Sequence, residues 1–277
     1  WPDHNMSWLE TIAGLLLLLI PLHAAGWALT GGMPNRLRPA ARTWLPPLLG
    51  FALLIFVALP LGWFGPGFAH PVVRVGLLSI SGGLIWLRRR DSAWFRSLVF
   101  LGGFLVLASW PFTVQIQRFE AFDILNDPWT YCVQSEWLQT NSLSDPAPRD
   151  NAHGAQTQVY FTQLTGTRAG AQFVLALAQG TLGLNWAHQA YPIVMALAFG
   201  CGAMVVAFTT QIILRGGSRI IAGIVGLSVT STLNGFSLGA MRGYYPQTVG
   251  LILGVTGGLL CGWMIARADR LSPPQRG

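Results

Sequence analysis

Long apolar runs separated by short polar segments dominate the sequence. Seven runs are long enough to form membrane-spanning helices, because a helix needs about 20 predominantly apolar residues to cross a bilayer. They cover roughly residues 9–29, 46–64, 72–88, 97–114, 189–213, 220–237 and 246–266. The pattern predicts an all-α, polytopic membrane protein with four helices in 1–114, a long outer loop in 115–188, and three helices plus a tail in 189–277.

A shorter apolar stretch lies inside the long loop. Residues 169–183 number about 15, too few for a straight crossing of the hydrocarbon layer. We expect a short helix that dips into the membrane or lies on its surface. The alternative is a short, tilted span that inverts the topology of every later helix.

Composition and charge support the membrane prediction. Only 10% of the residues are charged, 52% are hydrophobic and the mean hydropathy is +0.48, whereas a soluble domain carries about 25% charged residues. The net charge of +7 comes from arginine, since the sequence contains no lysine. Because the arginines form short clusters between apolar runs, they indicate membrane topology, and no nucleic-acid partner is predicted.

Most arginines occupy alternate loops. Twelve of the seventeen follow the first, third, fifth and seventh runs. Basic residues accumulate in cytoplasmic loops, so the pattern predicts an outer N-terminus and an inner C-terminus. The first run has Asp3 and Glu10 near its start and no basic residue before it. It is therefore predicted to be a retained helix and not a signal peptide.

Carboxylates concentrate on the predicted outer loop. Apart from Glu10 at the edge of the first run, the apolar runs contain no Asp, Glu or Lys. Ion-driven carriers normally keep ionisable residues near the middle of the bilayer, so the sequence disfavours a pump or secondary carrier. Six of the ten acidic residues lie between positions 120 and 150: Glu120, Asp123, Asp127, Glu136, Asp145 and Asp150.

A helix signal follows the fourth run. Asp127 precedes a proline, which suits an N-cap followed by proline at the first helical position. Residues 129–140 then show helical periodicity, which predicts an amphipathic helix at the membrane surface with its tryptophans at the interface. Capping alone accounts for Asp127, so a capping role and a catalytic role both stay open. The apolar face holds Trp129, Val133 and Trp137.

The remaining side chains offer little separate chemistry. Residues 141–153 are polar and turn-rich, and we expect them to be mobile. His23 is alone in its apolar run and is predicted to be a hydrogen-bonded structural residue. The three cysteines, which have no metal-ligand spacing, are Cys132, Cys201 and Cys261.

The order of elements after residue 110 resembles a known family. The run Asn126-Asp127-Pro128-Trp129-Thr130-Tyr131, followed by Ser135-Glu136-Trp137-Leu138, opens the loop. Residues 168–175 come next, and residues 234–247 form a later outer turn. Together they resemble the first outer loop, the short jutting helix and the second outer loop of GT-C-type glycosyltransferases. This family includes protein mannosyltransferases and the enzymes that add aminoarabinose to lipid A.

The resemblance implies a membrane enzyme that transfers a hexosyl or pentosyl group from a polyprenyl-phosphate donor to an acceptor. The reaction would take place at the extracytoplasmic face of a bacterial inner membrane. Asp127 would be the catalytic carboxylate that accepts the acceptor's proton, with Asp123 as second choice. The implied substrate-binding residues are Arg168 and Arg242 for the donor phosphate, together with Tyr131, Glu136 and Tyr245.

The chain departs from this family in three ways. Four spans precede the loop where the family has one, and Asn126-Asp127 replaces the Asp-Glu pair of the mannosyltransferases. No cofactor is therefore certain, and a divalent metal is possible. The family's later spans are missing, so we expect an N-terminal part or fragment of a longer protein. A lipid-handling or flippase-type protein, or a scaffold with an acidic partner-binding loop, are the non-catalytic alternatives.

Overall fold

The structure is a computed structural model that describes residues 7–33, 35–119, 126–149, 154–165, 170–214 and 217–232, with residues 250 and 254. Within these ranges every regular element is an α-helix. The helices are α1 (Trp8–Thr30), α2 (Arg38–Trp44), α3 (Pro46–Phe64), α4 (Pro71–Arg88), α5 (Ser92–Phe119), α6 (Asn126–Thr140), α7 (Gly154–Thr165), α8 (Gly170–Leu182), α9 (Ala187–Ile213) and α10 (Arg219–Thr232).

Five of these helices are long and apolar enough to cross a membrane. They are α1, α3, α4, the Ser92–Trp110 part of α5, and α9. They coincide with the first five predicted runs, which confirms a polytopic, α-helical membrane protein. The sixth run forms the shorter apolar helix α10, and the seventh lies outside the described residues. The total of seven spans therefore stays a prediction.

Helices α1 and α3 approach each other backbone to backbone. A Cβ atom added to Gly26 would overlap the carbonyl group of Pro46, and one added to Gly50 would overlap the carbonyl group of Leu22. Small residues allow such close contact between membrane helices, where dispersion forces between closely fitted surfaces hold the helices together. The two glycines therefore fix the spacing of this helix pair.

Helix α9 is the most buried of the spanning helices. Buried residues make up 83% of its most apolar segment. Near its C-terminal end, Gln211 Oε1 accepts a hydrogen bond of 2.7 Å from Trp44 Nε1 of α2, and both side chains are buried. This bond satisfies the indole N–H and the amide oxygen in an interior where unpaired polar groups are costly.

Trp44→Phe is expected to lower the free energy of unfolding by about 1–3 kcal/mol, because it leaves the Gln211 oxygen buried without this donor. Thermal unfolding of the detergent-solubilised protein measures the effect. Trp86→Phe is the matched control, since Trp86 is 59% exposed. Equal melting temperatures for the two variants would show that the buried hydrogen bond contributes no stability.

Among the described residues, the ends of α1, α4 and α9 that lead into arginine-bearing loops lie at one end of the bundle. Trp27 Nε1, near the end of α1, donates to Asp91 Oδ2 at the start of α5 over 3.2 Å. The Trp44–Gln211 bond likewise joins α2 to the end of α9. The loops after α1, α4 and α9 thus lie together, as the alternation of arginines predicts. Which side of the membrane this end faces stays a prediction.

His23 lies close to the same end and is fully buried. Its Nε2 atom is 3.1 Å from Ser97 Oγ, and its ring stacks on Trp27 with the centroids 5.7 Å apart. Because Ser97 Oγ donates to the carbonyl oxygen of Arg42, His23 Nε2 is the donor to Ser97. The prediction of a hydrogen-bonded structural histidine is confirmed.

Candidate functional site

Helices α6, α7 and α8 form a block between the spanning helices α5 and α9. Within it, α8 is the short helix predicted at 169–183, and it has 13 residues. At about 1.5 Å per residue it is roughly 20 Å long, well short of the hydrocarbon layer of about 30 Å. All residues from 172 to 180 are buried. Other helices therefore enclose α8, and its depth in the membrane stays a prediction.

Helix α6 differs from the predicted surface helix. Val133, on the predicted membrane face, is 7% exposed and packs against Ala147 and Val159. The latter belongs to α7, a helix that the sequence pattern did not predict. The expected lipid contact of this face is wrong at Val133, because α7 and the segment before it cover that part of the helix. Trp129, one turn earlier, remains 38% exposed.

The segment that joins α6 to α7 is held by side-chain hydrogen bonds in its described part, residues 141–149. Gln163 Nε2 donates to the carbonyl oxygens of Leu143 and Asp145 at 2.9 and 2.6 Å, while its Oε1 accepts from Ala147 N at 3.1 Å. The amide thus binds three backbone groups of the segment. One glutamine, which supplies both donor and acceptor, thus ties this part to α7, and the predicted mobility of the segment stays a prediction.

Polar side chains of α6 also reach the backbone of α8. Ser135 Oγ shares its one hydrogen between the carbonyl oxygen of Tyr131 in its own helix, at 2.7 Å, and that of Gln172, at 3.1 Å. Gln139 Nε2 donates to the carbonyl oxygen of Ala176 at 3.0 Å. These residues are one turn apart on both helices, so the contacts repeat along the interface. They hold α6 in a fixed register along α8.

Glu136 joins three helices at the centre of this interface. Its Oε2 accepts a 3.0 Å hydrogen bond from Gln179 Nε2 of α8, and its Oε1 accepts a short hydrogen bond from the backbone N–H of Ala187. Ala187 is the first residue of α9, where backbone N–H groups have no partner within the helix. A carboxylate is favourable there because the helix dipole places positive charge at that end. Glu136 therefore caps α9 from a different helix.

The buried environment changes the acidity of two neighbouring groups on α6. Burial raises the pKa of the Glu136 carboxyl group, and the hydrogen bonds from Ala187 and Gln179 oppose the rise. Burial raises the pKa of the Cys132 thiol to about 12, with a further contribution from the charge of Glu136. Cys132 is therefore protonated at neutral pH and is not a nucleophile, because the thiolate is the reactive form.

A cavity of about 410 Å³ lies beside this network. The turn between α8 and α9 forms one of its walls, and the first half of α1 forms another. Gln179 Nε2 lies 3.5 Å from the carbonyl oxygen of Asn185, so Glu136 and Gln179 support this wall from behind. The polar lining residues are Glu10, Asn185 and Gln189, and the other lining residues are Ala13, Gly14, Leu17, Leu182, Gly183, Leu184 and Ile193.

The structure describes only part of the predicted site. Helix α6 begins at Asn126, so Asp127 lies in its first turn and not at the cap. Glu136 follows nine residues later, which is about 14 Å along the helix axis. Glu136 supports the cavity wall, and Tyr131 is partly buried against the main core. The side chain of Asp127 lies outside the described part, as do the residues Asp123, Arg168, Arg242 and Tyr245.

Sequence reasoning missed the residues that line the cavity. The available signals were two glutamines within the apolar helix α8 and the polar residues around the turn before α9. Gly183 permits this turn because its φ of 66° lies in the left-handed region that glycine adopts easily. No hydrophobic period marks such a site, since it forms only where α8, α9 and α1 meet.

The cavity has a mixed polar and apolar lining, and no described lining residue carries a positive charge. Two of its polar side chains also cap their own helices: Glu10 Oε2 accepts from Ser7, and Gln189 Oε1 accepts from the backbone N–H of Trp186. Among the described residues, no group of three or more His, Cys, Asp or Glu side chains could hold a metal ion. No protein-family model, curated protein or solved structure matches the chain.

Proposed function

We propose that the chain is part of a GT-C-type membrane glycosyltransferase that transfers a sugar from a polyprenyl-phosphate donor to an acceptor. The observation that carries the proposal is the cavity between α1 and the α8–α9 turn. Glu10, Asn185 and Gln189 give it hydrogen-bonding groups that suit sugar hydroxyls. Leu17, which also lines it, is 61% exposed, so the cavity has an apolar border on the bundle surface for a lipid chain.

The arrangement of helices gives a second support. Helices α6, α7 and α8 lie together between two spanning helices and pack on the bundle. An outer helix followed along the chain by a short apolar helix is the order that the resemblance to this family leads us to expect. A lipid-handling protein without catalysis would not need the carboxylate that the family carries at the start of the first outer helix.

In the proposed reaction, an oxygen atom of the acceptor attacks the anomeric carbon of the donor sugar. The bond between that carbon and the phosphate oxygen breaks, and polyprenyl phosphate leaves with the electron pair. Asp127 accepts the proton of the attacking hydroxyl group. Arg168 and Arg242 bind the phosphate and stabilise the negative charge that grows on it in the transition state.

Asp127→Asn is expected to reduce sugar transfer about 100-fold to 10,000-fold, since general base catalysis contributes on that scale. The measurement is transfer of a radiolabelled sugar from polyprenyl phosphate by membranes that contain the protein. Asp145→Asn makes the same chemical change in an exposed residue and is expected to keep most activity.

The two levels of the proposal fail differently. Full activity of Asp127→Asn would show that Asp127 is not the catalytic base, and Asp123→Asn would be tested next. If the unaltered protein transferred no sugar from any polyprenyl-phosphate donor, the glycosyltransferase proposal itself would fall.

A further inference from the structure

Four arginines form an exposed surface at the end of the bundle opposite the α6–α8 block. Arg88 ends α4, Arg89 and Arg90 lie in the turn between α4 and α5, and Arg96 follows in α5. We call this set the arginine surface. Arg88 is half-buried and the other three are exposed.

One carboxylate lies in the same turn, but it is engaged elsewhere. Asp91 Oδ1 accepts from the backbone N–H groups of Ala93 and Trp94 at 3.0 and 3.1 Å, which caps the start of α5. Asp91 Oδ2 accepts from Trp27 Nε1. Four arginines and one aspartate leave a formal charge of +3 over residues 88–96.

An exposed apolar face leads along α4 to the arginine surface. Val73 is the single residue that is buried in α4, so most of this helix has no protein cover in the described structure. Its exposed apolar side chains near the arginines are Ile80, Trp86 and Leu87. The guanidinium group of Arg89 lies 4.8 Å from the centroid of the Trp86 ring. Tryptophan in this position is typical of the headgroup level of a membrane.

We propose that the arginine surface binds the headgroup of an anionic phospholipid, whose acyl chains lie along the exposed face of α4. Guanidinium groups bind phosphate oxygens with a matching planar geometry, and basic clusters next to a spanning helix attract anionic lipids. The apolar face is continuous with the charged turn, which favours a lipid over a soluble polyanion. This inference is independent of the proposed glycosyltransferase function.

The test compares lipid binding by the purified full chain in detergent. Native mass spectrometry measures the binding of phosphatidylglycerol and of phosphatidylcholine to the protein. We expect a preference for phosphatidylglycerol that weakens as salt concentration rises, because ions screen exposed charges. We also expect the double variant Arg88→Gln/Arg90→Gln to bind phosphatidylglycerol at least tenfold more weakly. Phosphatidylcholine binding should be unchanged.

The matched control is Arg74→Gln/Arg149→Gln, which removes the same charge from the opposite end of the bundle. It should keep the preference for phosphatidylglycerol. Equal binding of both lipids by the unaltered protein, or equal losses in the two double variants, would overturn the proposal and leave the arginines as a topology signal only. If the Arg88/Arg90 variant fails to fold, the lipid preference of the unaltered protein and its response to salt still decide the question.

Discussion

Gly26→Ala is expected to lower the free energy of unfolding by about 3 kcal/mol, at the upper end of the usual cost of overpacking. The added methyl group would meet the backbone carbonyl of Pro46, which cannot rotate away as a side chain could. Helices α1 and α3 would have to separate, and the reciprocal contact of Gly50 with Leu22 would then be lost as well. Thermal or denaturant-induced unfolding of the detergent-solubilised protein measures the change.

The control substitution, Gly83→Ala, is expected to change the free energy of unfolding in the opposite direction. No atom lies within 4 Å of a Cβ added to Gly83 in α4. Gly83→Ala is therefore expected to stabilise the protein by about 0.5–1 kcal/mol, because alanine restricts the unfolded chain and favours a helix. If Gly26→Ala proved as stable as Gly83→Ala, the close contact of α1 with α3 would be incorrect.

Glu136→Ala is expected to produce the second large effect, a loss of about 3 kcal/mol in the free energy of unfolding. The substitution leaves the N–H of Ala187 and the amide of Gln179 without the carboxylate that joins them. The turn between α8 and α9 loses its support, so the proposed sugar transfer should fall together with stability. Unfolding and transfer are measured on the same preparations.

Glu136→Gln should be much milder, and the reason lies in Gln179. Its Oε1 atom is buried and has no hydrogen-bond partner. If the Gln179 amide turns over, this oxygen can accept from the new amide at position 136, whose own oxygen still accepts from Ala187. Equal losses in Glu136→Gln and Glu136→Ala would show that negative charge, and not hydrogen bonding, holds the three helices together.

The pH dependence of the melting temperature gives a second comparison between the unaltered protein and Glu136→Gln. Burial raises the pKa of Glu136 in the folded protein above its ordinary value of 4.5. Proton binding by Glu136 therefore adds to the free energy of unfolding in full below pH 4.5. This contribution is lost as pH rises through the raised pKa of the folded protein. Melting temperatures of the unaltered protein should fall over this interval, while Glu136→Gln, which does not titrate there, should lack that part of the fall.

Some features of the block α6–α8 could be predicted from the sequence, and others could not. The short helix α8 was expected because its apolar stretch is too short to cross a membrane. Helix α7 was missed because Gln, Thr and Gly dominate its sequence and give no clear hydrophobic period. Without α7, the apolar face of α6 at Val133 had no visible protein partner, and the membrane was the remaining explanation.

The contacts of Glu136 in the candidate site could not be predicted from the local sequence either. Glu136 was singled out by its resemblance to a family motif, which predicts contact with substrate. The structure shows both carboxylate oxygens accepting from protein donors, Gln179 and Ala187, and the contact with substrate stays a prediction. These partners are 43 and 51 positions away in sequence. No local pattern reveals contacts over such separations.

The sequence by itself determined that the chain is a bundle of membrane helices with its arginines on alternate loops. Bilayer thickness and the preference of arginine for one side act on each segment separately, so hydropathy and charge suffice. Only the tertiary structure decided that protein covers Val133 of α6, that Glu136 caps α9, and that a cavity with polar lining residues forms beside α1. These features arise where separate helices meet, and their energies depend on distances that no single segment contains.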